Sequence, residues 1–404
     1  MSENARVLVV SDREPWGHRR TREVVRALVD AGYRVIVAAS PSSKQELSIP
    51  VSEIGPPAPR HGLAVSRGVK RSIARFGCTI SARIGRRTST VRVARKILRS
   101  VRLTQGLEKI LQGEAFDVVV VEDLLLLPTV LERAGNARII FDAREYYPGH
   151  FDNSRIWRWL VQPGYVSLVK ASLPLCDGVT AVSQPIAEAL ERISGAPVRT
   201  VRNVPSSRNS EGFGVLRAPS KVSSAPLKLV YHGDSNGSRR IDQLVKLADR
   251  LHDRVQLDLY LVGRNSSVSR IRNSVRHSNN CNVRPPVSFE QISRMLTQYD
   301  IGLVYYPPKP TNQFLALPSK FFEYLEAGLP VAIGPAPAMA SIVAHYGCGV
   351  VADSFHLSAM AMALEGVTRN RLEEMKAGAH VAREELVASQ EYKRFTHVVA
   401  QVMR

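Results

Sequence analysis

The chain has 404 residues, of which 44% are apolar, and a formal net charge of +19. This length suffices for two domains of ordinary size. Its four cysteines lie far apart without a C-x-x-C pair, which argues against a disulfide framework or a zinc knuckle and suits a reducing cytoplasm. The apolar runs are too short for a signal peptide, and none approaches the roughly eighteen residues that a membrane-spanning helix needs.

The first half alternates strand and helix patterns. "ARVLVVS" predicts a strand, "RRTREVVRALVDAG" a helix that ends at Gly32, and "YRVIVAAS" a second strand. Further strands are predicted in "FDVVVVED", "ARIIFDA" and "DGVTAVS", with helical patterns between them. Continuous Val and Ile runs bounded by helices are typical of a parallel sheet covered on both faces. We therefore predict an α/β domain over residues 1–205.

A basic segment, residues 60–102, lies within this domain. It contains thirteen Lys and Arg and no Asp or Glu. Apolar residues recur at helical spacing towards its end: Val93, Ile97, Val101, and Leu103 or Leu107. A basic amphipathic helix of this kind favours an anionic lipid surface. Stacking aromatics are nearly absent, which disfavours nucleic acid as the partner. The alternative is a solvated, arginine-rich surface.

The Ser- and Pro-rich stretch 206–226 interrupts the alternation and is predicted to be a linker. Strand patterns resume in "LKLVYHG", "VQLDLYLVG" and "DIGLVYYP". We predict a second α/β domain over residues 227–385, followed by a C-terminal helix over 386–404 that packs back on the first domain. Two doubly wound domains place a ligand cleft between the carboxyl ends of their strands.

The segment "LPSKFFEYLEAGLPVAIGP" predicts a helix that begins after Pro318, with Ser319 as its N-cap, and ends at Gly328. At about 100° per residue, two arcs separate. The apolar arc holds Phe321, Phe322 and Leu325. The polar arc holds Ser319, Lys320, Glu323 and Glu326. A cation and a carboxylate therefore lie side by side at the positive end of a helix.

Several segments resemble glycosyltransferases of the GT-B fold, and family 4 in particular. "YHGDSNGSRRIDQLVKLA", "LYLVG", "YDIGLVYYP" and "LPSKFFEYLEAGLPVAIG" are similar, in order and spacing, to the donor-binding domain. "FDAREYYP", "CDGVTAVSQPIAEAL" and "VRNVP" resemble landmarks of the acceptor domain. The resemblance covers nearly the whole chain apart from the basic segment and the linker. It implies two Rossmann-like domains facing across a cleft, and sugar transfer from a nucleotide-sugar with retention of configuration.

Such a transfer requires stabilisation of the departing diphosphate. No D-x-D pair occurs in the chain, so we expect neither a metal site nor a cofactor apart from the donor itself. Arginine, lysine and helix N-termini can supply the positive charge instead. The candidates are Lys320 with the amides near Ser319, Arg239 or Arg240 after the turn "GDSNGS", and Arg264 after "LVG".

The resemblance assigns further donor contacts. It places Glu323 at the second glutamate of the family's E-x7-E motif, where two carboxylate oxygens match the two hydroxyls of a ribose. The first glutamate falls at Leu315, so Asn312 is expected to supply a polar contact there. Gly17, in the turn after the first strand, would line the sugar and phosphate side of the cleft. A surface ion pair between Lys320 and Glu323 is the alternative.

The acceptor domain also departs from the family pattern. The histidine of "D-x-H" is here Arg144, which cannot act as a base near neutral pH but could bind a phosphate or sugar hydroxyls. Arg144 and the adjacent Glu145 are accordingly the candidate catalytic residues. Family 4 enzymes retain anomeric configuration, and the resemblance implies no need for a dedicated base.

Three functional hypotheses follow. The first is a cytoplasmic, metal-independent glycosyltransferase of cell-envelope polysaccharide biosynthesis, peripheral at the inner face of the membrane, with a lipid-linked or polysaccharide acceptor. The second is a catalytically degenerate GT-B scaffold that binds an anionic surface, an option kept open by Leu315 and Arg144. The third is a sugar-nucleotide epimerase of the same fold, which would need no membrane-facing basic segment.

Overall fold

The computed structural model describes residues 5–13, 18–39, 51–53, 103–206, 226–235, 239–276, 278–305 and 308–404. The basic segment 60–102, Gly17 and most of the predicted linker lie outside these ranges. The chain divides into two compact units. Unit 1 comprises Met1–Arg202 with Ser389–Arg404, and unit 2 comprises Asn203–Ala388.

Unit 1 contains a seven-stranded sheet in the order β3-β2-β1-β4-β5-β6-β7. Its strands are β1 Arg6–Val10, β2 Arg34–Ala39, β3 Val51–Glu53, β4 Val118–Val121, β5 Arg138–Ala143, β6 Gly178–Ala181 and β7 Arg199–Thr200. Every strand pair is parallel. Its helices are α1 Arg19–Asp30, α2 at residues 103–113, α3 Leu127–Arg133, α4 Arg155–Leu160, α5 Gln162–Ser172 and α6 Gln184–Ser194.

Unit 2 contains a six-stranded parallel sheet in the order β10-β9-β8-β11-β12-β13. Its strands are β8 Leu227–Asp234, β9 Val255–Val262, β10 Cys281–Arg284, β11 Ile301–Val304, β12 Val331–Ile333 and β13 Gly349–Val351. Its helices are α7 Ile241–Leu251, α8 Asn265–Ser274, α9 Phe289–Leu296, α10 Thr311–Leu315, α11 Ser319–Glu326, α12 Pro337–Tyr346, α13 Leu357–Glu365 and α14 Arg369–Glu385. The last helix of the chain, α15 Ala388–Val402, begins at the last residue of unit 2, and the rest of the helix belongs to unit 1.

The central strands of both sheets are buried. In β4 every residue is inaccessible, and β1 and β5 are exposed or half-buried only at their first residue. Strands that are buried along their length need helices on both faces of the sheet, as the continuous Val and Ile runs predicted. The prediction of an α/β class with doubly wound parallel sheets is therefore confirmed. None of the helices within the described ranges has the length and apolar character that crossing a bilayer requires.

The apolar stripe of helix α2 packs in the core of unit 1, although part of it was predicted to face lipid. Leu103, Leu107 and Leu111 recur every fourth residue along α2, and all three are buried. The assignment of Leu103 or Leu107 to a lipid-facing surface was wrong, because these side chains belong to the core of unit 1. The preceding apolar residues of that predicted stripe, Val93, Ile97 and Val101, lie outside the described ranges.

Helix α11 begins and ends close to the predicted positions. Its N-cap is Pro318, whose carbonyl accepts from the Phe321 amide at 3.0 Å, so Ser319 is the first helical residue and not the predicted cap. A proline carbonyl suffices for the first helical bond, and its fixed φ of −74° suits the extended backbone of a cap. The helix ends before Gly328, which has a φ of +67°.

The apolar arc of α11 is buried as predicted: Phe321 is 0% exposed, Phe322 2% and Leu325 1%. Tyr324 is also inaccessible, because its ring lies against Gly302 of β11. A β-carbon at position 302 would be 2.4 Å from Tyr324 Cγ, so only glycine lets the helix pack this closely on the strand. The close approach fixes the height of α11 above the sheet.

Candidate functional site

The candidate site lies at the carboxyl edge of the sheet in unit 2. Strands β8 and β11 are neighbours there, but the chain continues from β8 towards β9 and from β11 towards β12. Loops that diverge in this way leave a crevice, and open parallel sheets bind ligands at such switch points. The end of β8 supplies His232, Gly233 and Asp234 to this edge, and the segment after β11 leads to the N-terminus of α11.

Lys320 reaches from α11 to the end of β8. Its Nζ donates to the His232 carbonyl oxygen at 2.5 Å and lies 3.8 Å from the centre of the Tyr231 ring. A β-carbon at Gly233 would be 2.8 Å from Nζ, and the φ of +127° at Gly233 also disfavours other residues. Glycine at 233 therefore makes room for the ammonium group against the strand.

The charge on Lys320 is opposed by its surroundings. Burial lowers the pKa of Lys320 well below its ordinary value of 10.5, and the nearby Arg239 lowers this pKa further. Glu323 and Asp234 act in the opposite direction. Arg239 is thus close enough to disfavour the charged form of Lys320 beside the N-terminus of a helix. An anion placed at this edge would offset that effect.

Glu323 lies one turn further along α11 and is 6% exposed. Its Oε2 is 3.1 Å from Nε2 of His232, a side chain that is also 6% exposed. The His232 ring packs edge-to-face on Tyr324 with 5.1 Å between ring centres. The interpretation of Lys320 and Glu323 as a surface ion pair was therefore wrong, because both side chains are buried against the end of β8.

The other residues that were predicted to contact the donor differ in their exposure and in their partners. Arg239 is half-buried and within electrostatic reach of Lys320. Arg240 is exposed and pairs with Asp242 of its own helix at 3.2 Å. Arg264 is the exposed N-cap residue of α8, directly after β9. Ser319 and Asn312 are half-buried on α11 and α10.

Unit 1 has its own group of charged residues at the switch point between β1 and β4. Arg144, which directly follows β5, donates from Nη2 to Asp12 Oδ1 at 2.9 Å and from Nε to the Glu122 carbonyl oxygen at 3.2 Å. Its Nη1 lies 3.4 Å from Glu122 Oε2. The Arg144 side chain is 9% exposed and Glu122 is inaccessible. This cluster gives Arg144 a structural task, the compensation of two buried carboxylates.

The pKa values in this cluster follow from burial and pairing. Burial raises the pKa of Glu122, and Arg144 counteracts this. Burial also opposes the charge on Arg144, yet Glu122 and further carboxylates raise its pKa well above the ordinary value of an arginine. Thr21 stabilises the Glu122 carboxylate by donating to Oε2 at 2.6 Å. Arg144 is therefore cationic, and it cannot act as a base.

Glu145 has different partners. Its Oε1 accepts from Arg13 Nη2 at 3.0 Å, and its Oε2 lies 2.6 Å from His150 Nε2. About a third of its side chain is exposed, at 32%. Glu145 is thus more accessible than Arg144, and the catalytic role predicted for the two residues stays a prediction.

Some important residues were missed from the sequence. Arg20 and Asp142 form a bidentate pair in unit 1, with both nitrogen–oxygen distances at 2.8 Å, and Asp142 also accepts from Thr180 at 2.6 Å. His232 was missed in unit 2. A signal was present for His232: "YHGD" places polar residues at the end of an apolar strand pattern, at the edge where parallel strands place their ligands.

Over the described ranges, no three His, Cys, Asp or Glu side chains are grouped so that they could hold a metal ion.

We expect Arg144→Met to destabilise unit 1 by about 3–5 kcal/mol, because the buried carboxylates of Asp12 and Glu122 would lose the cation that contacts both of them. The measurement is urea unfolding followed by tryptophan fluorescence, since Trp16, Trp157 and Trp159 all belong to unit 1. The control is Arg155→Met.

Arg155 is exposed on α4, so its replacement should change the stability by no more than about 0.5 kcal/mol. Equal stability of the Arg144 and Arg155 variants would contradict the structural task assigned to Arg144.

We expect Lys320→Met to gain stability relative to the wild type as the pH falls from about 10 towards 7. Between its lowered folded-state pKa and 10.5, Lys320 binds a proton in the unfolded chain but not in the folded one. The wild type therefore loses stability as pH falls through this window, and the methionine variant does not. Urea unfolding followed by circular dichroism at several pH values measures the difference.

The control variant is Lys246→Met, which replaces an exposed lysine of α7. The free energy of unfolding of the wild type and that of Lys320→Met could instead differ by the same amount at every pH. This result would show that the amine is not held in an unfavourable environment.

Comparison with known proteins agrees with the geometry. The sequence profile of Glycosyltransferase Family 4 matches residues 17–205. No curated protein sequence matches the chain.

Solved structures match over the full length. Sucrose-phosphate synthase from Thermosynechococcus elongatus has a TM-score of 0.74 at 13% identity, covering 98% of this chain and 99% of that chain. The lipopolysaccharide outer core galactosyltransferase WaaB in its apo form has a TM-score of 0.63 at 11% identity, with coverages of 98% and 99%. Anabaena Alr3699/HepE in complex with UDP has a TM-score of 0.62 at 10% identity, with coverages of 98% and 100%. Residues 17–205 thus match Glycosyltransferase Family 4, and the chain as a whole shares its fold with solved glycosyltransferase structures.

Proposed function

We propose that this protein is a glycosyltransferase that takes its sugar from a nucleotide-diphosphate donor, which binds at the carboxyl edge of the sheet in unit 2. The observation that carries the proposal is the buried pair of Lys320 and Glu323 on one face of α11, against the end of β8. Lys320 and the first-turn amides of α11 bind the diphosphate, and Glu323 accepts hydrogen bonds from the ribose hydroxyls. That Anabaena Alr3699/HepE is in complex with UDP supports this assignment.

The electrostatics favour an anionic ligand. Burial and Arg239 both oppose the positive charge on Lys320. Without a bound donor, the site therefore has too little negative charge to stabilise that positive charge. A diphosphate gains charge as the glycosidic bond breaks, and cations already in position stabilise that change without reorganisation. This arrangement does not require a divalent metal, and we propose a metal-independent transfer with retention of configuration.

The acceptor is proposed to be lipid-linked or a polysaccharide, reached from the cytoplasmic face of the cell membrane. Two observations support this. The basic segment 60–102 has thirteen cations without a carboxylate, a composition that suits an anionic bilayer surface. The similar protein WaaB is a lipopolysaccharide outer core galactosyltransferase. The protein would then be peripheral to the membrane and act in cell-envelope biosynthesis.

We expect Glu323→Ala to cut turnover and nucleotide affinity at least tenfold while the protein stays folded. A buried contact between a carboxylate and a hydroxyl contributes about 1.5–3 kcal/mol. The test begins with thermal-shift screening against UDP, GDP and ADP, because a ligand at 100 times its dissociation constant adds about 2.7 kcal/mol of stability. Kinetics with the matching nucleotide-sugar follow.

The matched control is Glu326→Ala, one turn further along the same helix, which should keep wild-type kinetics. Wild-type affinity in a folded Glu323→Ala protein would sink the ribose assignment. The same assay with EDTA tests the mechanism: activity lost with EDTA and restored by magnesium or manganese would show that a metal is required.

We expect the protein to sediment with anionic vesicles at low salt and to be released at high salt, as the Debye length shrinks from about 10 Å at 0.1 M to about 3 Å at 1 M. Neutral vesicles are the control for the lipid, and duplex DNA and RNA are the competitors. The control variant carries glutamine at Arg86, Arg87, Arg92, Arg95 and Lys96. Equal binding to both vesicle types, or an unaffected variant, would refute the membrane role.

A further inference from the structure

His232 contacts three residues of α11 in two different ways. Its backbone forms hydrogen bonds with two of them: the carbonyl oxygen accepts from Lys320 Nζ at 2.5 Å, and the amide donates to the Tyr324 hydroxyl at 3.3 Å. Its imidazole contacts the third: Nε2 lies 3.1 Å from Glu323 Oε2. Any residue except proline at position 232 would supply the two backbone contacts. Only the ring is specific to histidine, and its Nε2 faces Glu323 Oε2.

The Glu323 carboxylate needs a partner of this kind. It is 6% exposed, and a buried carboxylate without compensation is unfavourable. A carboxylate has about four acceptor positions on its two oxygens, so a contact at Oε2 leaves capacity for ribose hydroxyls. The contact also restrains rotation of the carboxylate, because the His232 ring is itself held edge-to-face against the buried Tyr324 ring, at 5.1 Å between centres. The Tyr324 ring in turn lies against Gly302, which leaves it no room to move.

We propose that the His232 imidazole is a positioning group that holds the Glu323 carboxylate for the ribose diol, and that it thereby determines selectivity for ribonucleotide over deoxyribonucleotide donors. This inference rests on the proposed binding of the donor at α11. His232 itself does not touch the donor's phosphates or sugar in this arrangement. Its effect is transmitted through one carboxylate, which makes the effect specific to the hydroxyls that this carboxylate binds.

Three variants separate the role in positioning from a role in packing. His232→Phe keeps a ring that can pack on Tyr324 but has no nitrogen for Glu323. His232→Gln places an amide nitrogen close to the position of Nε2 and should restore the contact. His232→Asn is polar but too short to reach Glu323, and it provides a second loss variant if the phenylalanine variant does not fold. All three keep the backbone contacts to Lys320 and Tyr324.

The experiment measures dissociation constants by calorimetry for UDP, GDP and ADP and for the 2′,3′-dideoxy form of each. For the nucleotide that the wild type binds, His232→Phe and His232→Asn should weaken binding of the ribonucleotide about tenfold, in keeping with one contact to a charged group. Binding of the dideoxy form should change less than about twofold. His232→Gln should recover most of the ribonucleotide affinity, and adding Glu323→Gln to His232→Phe should cause little further loss.

Equal losses for the ribonucleotide and dideoxy forms would overturn the inference, because the ring would then act only in packing. Unchanged affinity in His232→Phe would overturn it as well, and in both cases the proposed donor site would stand. A wild type that binds none of the three diphosphates would refute the proposed function itself, and the inference with it.

Discussion

The contact between helix α11 and the end of strand β8 is the interaction on which the candidate site depends. Lys320 and Tyr324 both bind the backbone of His232, and Tyr324 can lie this close to the sheet only because residue 302 is glycine. The approach buries Lys320 and Glu323, which would otherwise be solvated surface residues with weak interactions. Burial raises the energetic importance of each charge, since a low dielectric strengthens both pairing and repulsion.

The two units use their switch points differently. In unit 1, Arg144 is paired with Asp12 and Glu122 and is nearly inaccessible, so its charge is already compensated. In unit 2, burial and Arg239 act against the charge of Lys320. A compensated cluster stabilises one arrangement of strands, whereas an under-compensated cation is prepared for a ligand of opposite charge. The same topological position thus serves structure in one sheet and, as we propose, donor binding in the other.

A buried histidine at the end of β8 also changes how the E-x7-E pattern is understood in this chain. By the resemblance, Leu315 stands at the first glutamate of that pattern and Glu323 at the second, and Glu323 has a neighbour that sequence spacing could not supply. His232 and Glu323 are ninety-one positions apart, and they meet because β8 and α11 border the same crevice.

The sequence by itself determined the local elements and their class. Apolar runs predicted the buried parallel strands, and Phe321, Phe322 and Leu325 predicted the buried arc of α11, because hydrophobic periodicity depends only on neighbours along the chain. It also indicated Lys320, Glu323 and Arg239 as a group, through the helix terminus and the turn that hold them.

Only the tertiary structure decided which polar residues are buried and what they contact. Three kinds of contact join segments far apart in the chain: the burial of Glu323 against His232, the ion pairs of Arg144 and Arg20, and the packing of Leu103 and Leu107 in a core. Burial and long-range pairing depend on which strands become neighbours in the sheet. Periodicity along one segment contains no information about that neighbourhood, which is the physical reason why these contacts could not be predicted.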